Sequence, residues 1–127
     1  MNLLLKYKYL FFLVIAFILY GNTIQNSYSI DDDFVTNHSF TTKGFSSIKK
    51  IFTTPYSLND EGKGFEYRPI VKLSFAIEHG FFGVNPKTSH FINILLYAIT
   101  LILLYKVLLV VFGEEKKNFI FFTVILF

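Results

Sequence analysis

Phe91-Ile-Asn-Ile-Leu-Leu-Tyr-Ala-Ile-Thr-Leu-Ile-Leu-Leu-Tyr-Lys-Val-Leu-Leu-Val-Val-Phe112 has one charged member, Lys106. As an α-helix this run is about 33 Å long at a rise of ~1.5 Å per residue. The hydrocarbon core of a bilayer is about 30 Å thick, so the run is long enough to cross it. Lys106 lies in its second half, where the long stem carries the ammonium group to the nearer interface; this snorkelling reading is preferred to a buried functional lysine. Tyr105 beside it fits an interfacial belt.

The composition agrees. Apolar residues make up 53% of the 127 and aromatics 20%, whereas charged residues make up 17%. An average soluble domain carries about 25% charged residues, so a water-facing surface would be hard to cover here. The apolar residues stand in long blocks rather than at amphipathic spacing. The formal charge of +3 is dispersed and forms no basic stripe, which argues against nucleic acid as a partner. Without cysteine, disulfides, thiolate metal sites and cysteine nucleophiles are excluded.

An earlier block, Leu10 to Tyr20, reads as a first span, and it reaches back to Leu3 if Lys6 and Lys8 snorkel. A cleaved signal peptide competes with this. The exit Tyr20-Gly21-Asn22-Thr23-Ile24 lacks the small-residue cleavage pattern, which favours a retained anchor. Lys6 and Lys8 precede the first span, and Lys116 and Lys117 follow the second. The positive-inside rule therefore puts 1–9 and 113–118 in the cytoplasm and 21–90 outside. Residues 119–127 are apolar apart from Thr123 but too short to span, so they are expected to begin a third helix and the chain to be an N-terminal fragment. The expected fold is thus all-α: polytopic, with spans at 10–20 and 91–112, the start of a third, and a partly helical extracytoplasmic first loop. The expected location is a bacterial plasma membrane.

The loop opens with Asp31-Asp32-Asp33, about ten residues beyond the first span. Adjacent carboxylates repel one another, which raises the pKa of at least one unless solvent screens them. Residues 45–52 read as a short amphipathic turn, with Ile48, Ile51 and Phe52 set against Lys49 and Lys50. The stretch 59–64 reads as a solvated turn. Pro69 suits the first position of a helix over 70–79, closed by Gly80. That helix is apolar nearly all round, with Lys72, Glu78 and His79 as its polar points; it is expected to lie in the interface or to pack on the membrane helices. Gly83-Val84-Asn85-Pro86 then turns the chain into the second span, which is expected to begin near Ser89-His90.

The ordered set Tyr28-Ser-Ile-Asp-Asp-Asp-Phe-Val35, Gly44-Phe-Ser-Ser-Ile48, Tyr67-Arg-Pro-Ile70, Phe75-Ala-Ile-Glu78, Phe82-Gly-Val-Asn-Pro86 and Ser89-His90-x-x-Asn93 resembles one family. It is similar to the start of the GT-C membrane glycosyltransferases with C-terminal tetratricopeptide repeats, the protein O-mannosyltransferase-like group. The resemblance runs from Tyr28 to Tyr105. It implies transfer of a sugar from a polyprenyl-phosphate carrier to a hydroxyl of a protein or glycan acceptor, on the outer face of the membrane. It also implies a catalytic base in the first outer loop, matching Asp31 and Asp32, with Asp33 less favoured. The family's donor-phosphate groups lie partly in later loops, so this stretch alone is expected to be inactive.

Each candidate also has a plainer reading. An Asp cluster at a loop start is commonly a solvated turn or helix cap. Arg68 suits a donor phosphate through its planar fork, or it simply pairs with Glu66 or caps a carbonyl. His90 and Asn93 share a helical face, where positioning the loop is favoured over direct chemistry. Glu78 and His79 at a helix end most often meet water and headgroups. No cofactor is required. The carboxylates leave room for a divalent cation, but no Asp-x-Asp-x-Asp-Gly loop is present, so no metal ligand is assigned. Against the enzyme stands a different class: a non-catalytic membrane scaffold or degenerate paralogue whose outer loop binds a partner.

Overall fold

A computed structural model of the chain describes residues 7–29, 32, 36, 40–58 and 64–127. It divides into two compact units, Met1–Gln25 with His90–Phe127, and Asn26–Ser89. The first is here called the apolar unit and the second the loop unit.

Among the described residues, three helices build the apolar unit. Helix α1, Lys8–Tyr20, continues as a 3₁₀ turn over Gly21–Gln25. The longest helix of the chain, Pro86–Phe112 (α4 in chain order), begins within the loop unit and contributes most of its length here. Gly113, at φ 87°, breaks it, and a 3₁₀ turn over Glu114–Lys116 leads into α5, Lys117–Ile125. Phe12, Leu101, Tyr105, Ile120, Phe121 and Val124 form a buried cluster in which the Phe12 ring lies 5.6 Å from Tyr105 and 5.4 Å from Phe121. A second buried cluster joins Ala16 of α1 to Ile94 and Ala98 of α4.

Outside these seams the helices stay apolar: Ile18, Leu103, Val107 and Val110 are all exposed, Val110 at 87%. In water such a surface would drive association, whereas lipid tails solvate it without cost. Among the described residues, two helical segments are long and apolar enough to cross a membrane: Lys8–Gln25, with mean hydropathy 1.4, and Pro86–Phe112, with 2.6. The latter is about 40 Å long at ~1.5 Å per residue.

In the loop unit, a 3₁₀ turn over Gly44–Ser47 runs into α2, Ile48–Ile51. Strands β1, Ser57–Leu58, and β2, Gly64–Phe65, form a two-residue antiparallel pair with Ser57 opposite Phe65. The Tyr56 N–H extends the pairing by donating to the Glu66 carbonyl at 2.9 Å. Helix α3, Pro69–Phe82, then packs its Gly80 against the 3₁₀ turn. A Cβ on Gly44, which sits at φ 57°, would come within 3.3 Å of the Gly80 Cα, so the two backbones touch where both residues lack side chains.

Several expectations need correction. Helix α3 covers 69–82 rather than 70–79. Gly80 stays helical because its missing side chain serves packing, and Gly83, at φ 69°, ends the helix instead. Helix α4 begins at Pro86, upstream of the apolar run that opens at Phe91. The Asn85 Oδ1 accepts from the Lys87 N–H at 3.1 Å, and Pro86 takes the first helical position, where its absent N–H is not missed. Tyr105 is wholly buried between helices and is not a belt residue. Phe52 is exposed, so Ile51 alone is the buried anchor of its turn. The strand pair had no signal, since two-residue strands are too short for alternation.

Candidate functional site

The loop unit holds its chemistry in two places. At the first, the Asp32 carboxylate accepts the Ser29 N–H at 2.7 Å, and the Asp32 N–H donates to the Ser29 carbonyl at 3.0 Å, closing a tight turn. The Thr36 hydroxyl donates to the Asp32 carbonyl at 2.9 Å. Among the described residues, nothing else donates to this half-buried carboxylate. Asp31 and Asp33 lie outside the described residues.

Tyr28 connects this turn to α3 and α4. Its hydroxyl is 2.6 Å from the Ser89 Oγ, and the Ser89 hydroxyl donates to the Glu78 carboxylate. An ionised carboxylate only accepts and a serine carries one proton, so Tyr28 is the donor to Ser89. Ser89 and Glu78 are both buried, at 3% and 7% exposure. Burial raises the Tyr28 pKa above 10.0; the nearby Glu78 and Asp32 carboxylates push the same way, and the Ser89 hydrogen bond opposes them.

Tyr28, Thr36, Thr41, Glu78 and His79 line a cavity of about 10 Å³, room for one water molecule at most. The Thr41 hydroxyl is buried there without a hydrogen-bond partner among the described residues. Nothing in the residue pattern points to this polar knot, and Glu78 was expected to meet water and headgroups. It is buried because α3 turns its last polar residues toward the Tyr28 segment and Ser89 rather than outward.

The second place is the start of α3. Arg68 pairs through its Nε with the Glu66 carboxylate at 2.7 Å and lies 5.4 Å from the Tyr56 ring centroid. Both partners are substantially exposed, so the pair contributes little to stability. Lys72, one turn on, is 1% exposed; its Nζ also lies 5.4 Å from the Tyr56 centroid and donates to the Pro55 carbonyl at 3.2 Å. Burial lowers its pKa below 10.5. Of the two readings of Arg68, the structure displays the Glu66 pair.

His90 is half-buried and Asn93 exposed, one turn apart on α4. Among the described residues, no group of three or more His, Asp or Glu side chains converges as a metal site. The structure thus joins Asp32, Tyr28, Ser89 and Glu78 in one neighbourhood, while Arg68 belongs to the separate Tyr56 cluster. No family model matches the chain, nor does any curated protein or solved structure.

Proposed function

We propose that this chain is the N-terminal part of an integral membrane glycosyltransferase. It moves a sugar from a polyprenyl-phosphate carrier to an acceptor hydroxyl on the extracytoplasmic side, with Asp31 or Asp32 as the base. The observation that carries the reading is the state of the Asp32 carboxylate. One oxygen is held by a backbone N–H, which fixes the side chain in place, and a positioned carboxylate is what general-base catalysis needs. The Tyr28–Ser89 hydrogen bond supports it by drawing together two stretches of the family-like pattern, the acidic turn and the Ser89-His90 start of α4.

The deciding measurement is sugar transfer by the full-length enzyme. Asp31→Asn or Asp32→Asn keeps size and most hydrogen bonding but removes the proton acceptor. At least one of them is expected to slow transfer by about 10²–10⁴-fold at unchanged abundance. Asp33→Asn should matter less, and Arg68→Lys should be milder, because it keeps the charge and loses only the planar fork. Wild-type rates in both Asp31→Asn and Asp32→Asn would sink the assignment.

The second reading, a non-catalytic membrane module, draws on the Arg68–Glu66 pair, since an arginine held by a neighbouring carboxylate is less available to a donor phosphate. Transfer insensitive to every one of these changes would favour it.

A further inference from the structure

The polarity of α3 is inverted. Its charged members Lys72 and Glu78 are buried, together with Ala76, while Ile70, Ile77, Phe81 and Phe82 are exposed at 67%, 38%, 70% and 60%. On a helix of 3.6 residues per turn, Ile70, Ser74, Ile77 and Phe81 fall on one face, so the exposed apolar side chains form a stripe. Phe45, half exposed, widens it by standing edge-on to Phe81 with ring centroids 5.3 Å apart. Burying a lysine and a glutamate while leaving three phenylalanines outside is unfavourable in water. The balance reverses when the outer face meets lipid.

The chain itself says which surface that is. Phe82 is followed four residues later by Pro86, the first residue of the helix with the higher mean hydropathy of the two candidate spans. Fully extended, four residues reach about 14 Å, so the aromatic end of α3 is tethered beside the entry of α4 into a bilayer.

We propose that α3 lies along the membrane interface, with Ile70, Ile77, Phe81 and Phe82, joined by Phe45, seated in the lipid headgroup and upper acyl region. Its buried charged residues, Lys72 and Glu78, face away from the lipid, into the loop unit. This inference rests on the membrane-spanning reading of α4 and chooses lipid over protein as the partner of α3. An amphipathic helix of this kind buries its apolar face about 5–10 Å into the boundary between headgroups and acyl chains.

The chain has no tryptophan, so one introduced residue is a unique fluorescent reporter. The full chain would be reconstituted in phosphatidylcholine bilayers carrying bromine at shallow or deep acyl positions, with Phe81→Trp, Ile70→Trp and Leu103→Trp read separately. Leu103 is exposed midway along α4 and serves as the benchmark for the span. The expected result is that Phe81→Trp and Ile70→Trp lose most of their emission to shallow bromine and less to deep bromine, with Leu103→Trp showing the reverse order. If Leu103→Trp is quenched by lipid while both α3 reporters respond to acrylamide as in water, the span stands and the interfacial seat is overturned. Shielding of the α3 reporters from both quenchers overturns it too, since protein then covers the stripe. If Leu103→Trp escapes lipid quenching, the spanning reading fails first and this inference with it.

Discussion

Ser89 donates its hydroxyl proton to the carboxylate of Glu78, eleven residues earlier in the chain, and both side chains are buried. With the half-buried Tyr28 donating to Ser89 in turn, three polar side chains from three segments are linked in one chain of hydrogen bonds.

Ser89→Ala removes the donor to Glu78 and the acceptor of Tyr28 together. A buried polar group left without its partner costs about 1–3 kcal/mol, and a loss of that size is expected in equilibrium unfolding of the detergent-solubilised chain. A double-mutant cycle with Tyr28→Phe should give a coupling of about 0.5–3 kcal/mol, whereas strict additivity would mean the hydrogen bond is not formed. The same contact has a pH signature. Because the folded pKa of Tyr28 is raised, its contribution is complete below 10.0 and is lost as pH climbs through the folded value. Tyrosinate absorbance of wild type minus Tyr28→Phe should therefore show one residue ionising later than a free tyrosine.

Lys72 carries the opposite sign. Its folded pKa is lowered, so the native state releases the proton first, and between that value and 10.5 the unfolded chain holds more protons. Stability attributable to Lys72 therefore rises with pH across this window. Lys72→Met keeps the stem without the charge and should stay within about 1 kcal/mol of wild type at neutral pH. Lys72→Ala should cost about 2–5 kcal/mol, by analogy with other truncations of long buried side chains. The wild type should gain on Lys72→Met as pH approaches 10.5; a flat difference would show that the ammonium is solvated.

Gly44 and Gly21 form an internal comparison. Gly44→Ala must hold a positive φ and meet the Gly80 backbone, and is expected to destabilise by about 1–2 kcal/mol. Gly21, at φ −61° with open space around it, should accept alanine neutrally or with a gain of about 0.4–1 kcal/mol. Thermal unfolding of the two variants decides it, and equal effects would contradict the close approach of Gly44 to α3.

Topology is open to a direct test. By the positive-inside rule the lysine flanks lead us to expect Lys63 and Lys117 on opposite sides of the membrane, with Lys117 in the cytoplasm. Reporter fusions at the two positions should give opposite signals, and matching signals would remove the two-span arrangement.

The two long apolar helices were legible because a run such as Phe91 to Phe112 needs only its length and its lack of charge to be read. Their starting points were less so. Asn85-Pro86 is a helix-entry signal, yet it also reads as a turn, and only the Asn85 cap on the Lys87 N–H decides between them. The α3 sequence disclosed a helix but not its orientation, because its apolar residues surround it and the inward face is set by what Lys72 and Glu78 find as partners. Tyr105 was misread for a related reason: an aromatic beside a lysine looks interfacial until Phe12 and Phe121 pack on it. The Tyr28–Ser89–Glu78 knot could not be read at all, since pairing across long separations leaves no local period.

Sixty-one positions separate Tyr28 from Ser89. A ribosome adds about 5–20 residues per second, so roughly 3–12 s pass between the synthesis of the tyrosine and that of its acceptor. Throughout that interval the acidic turn waits without the Tyr28–Ser89 bond. The contact can close only once the residues that open α4 have been made, so this segment matures no earlier than the start of the second long apolar helix.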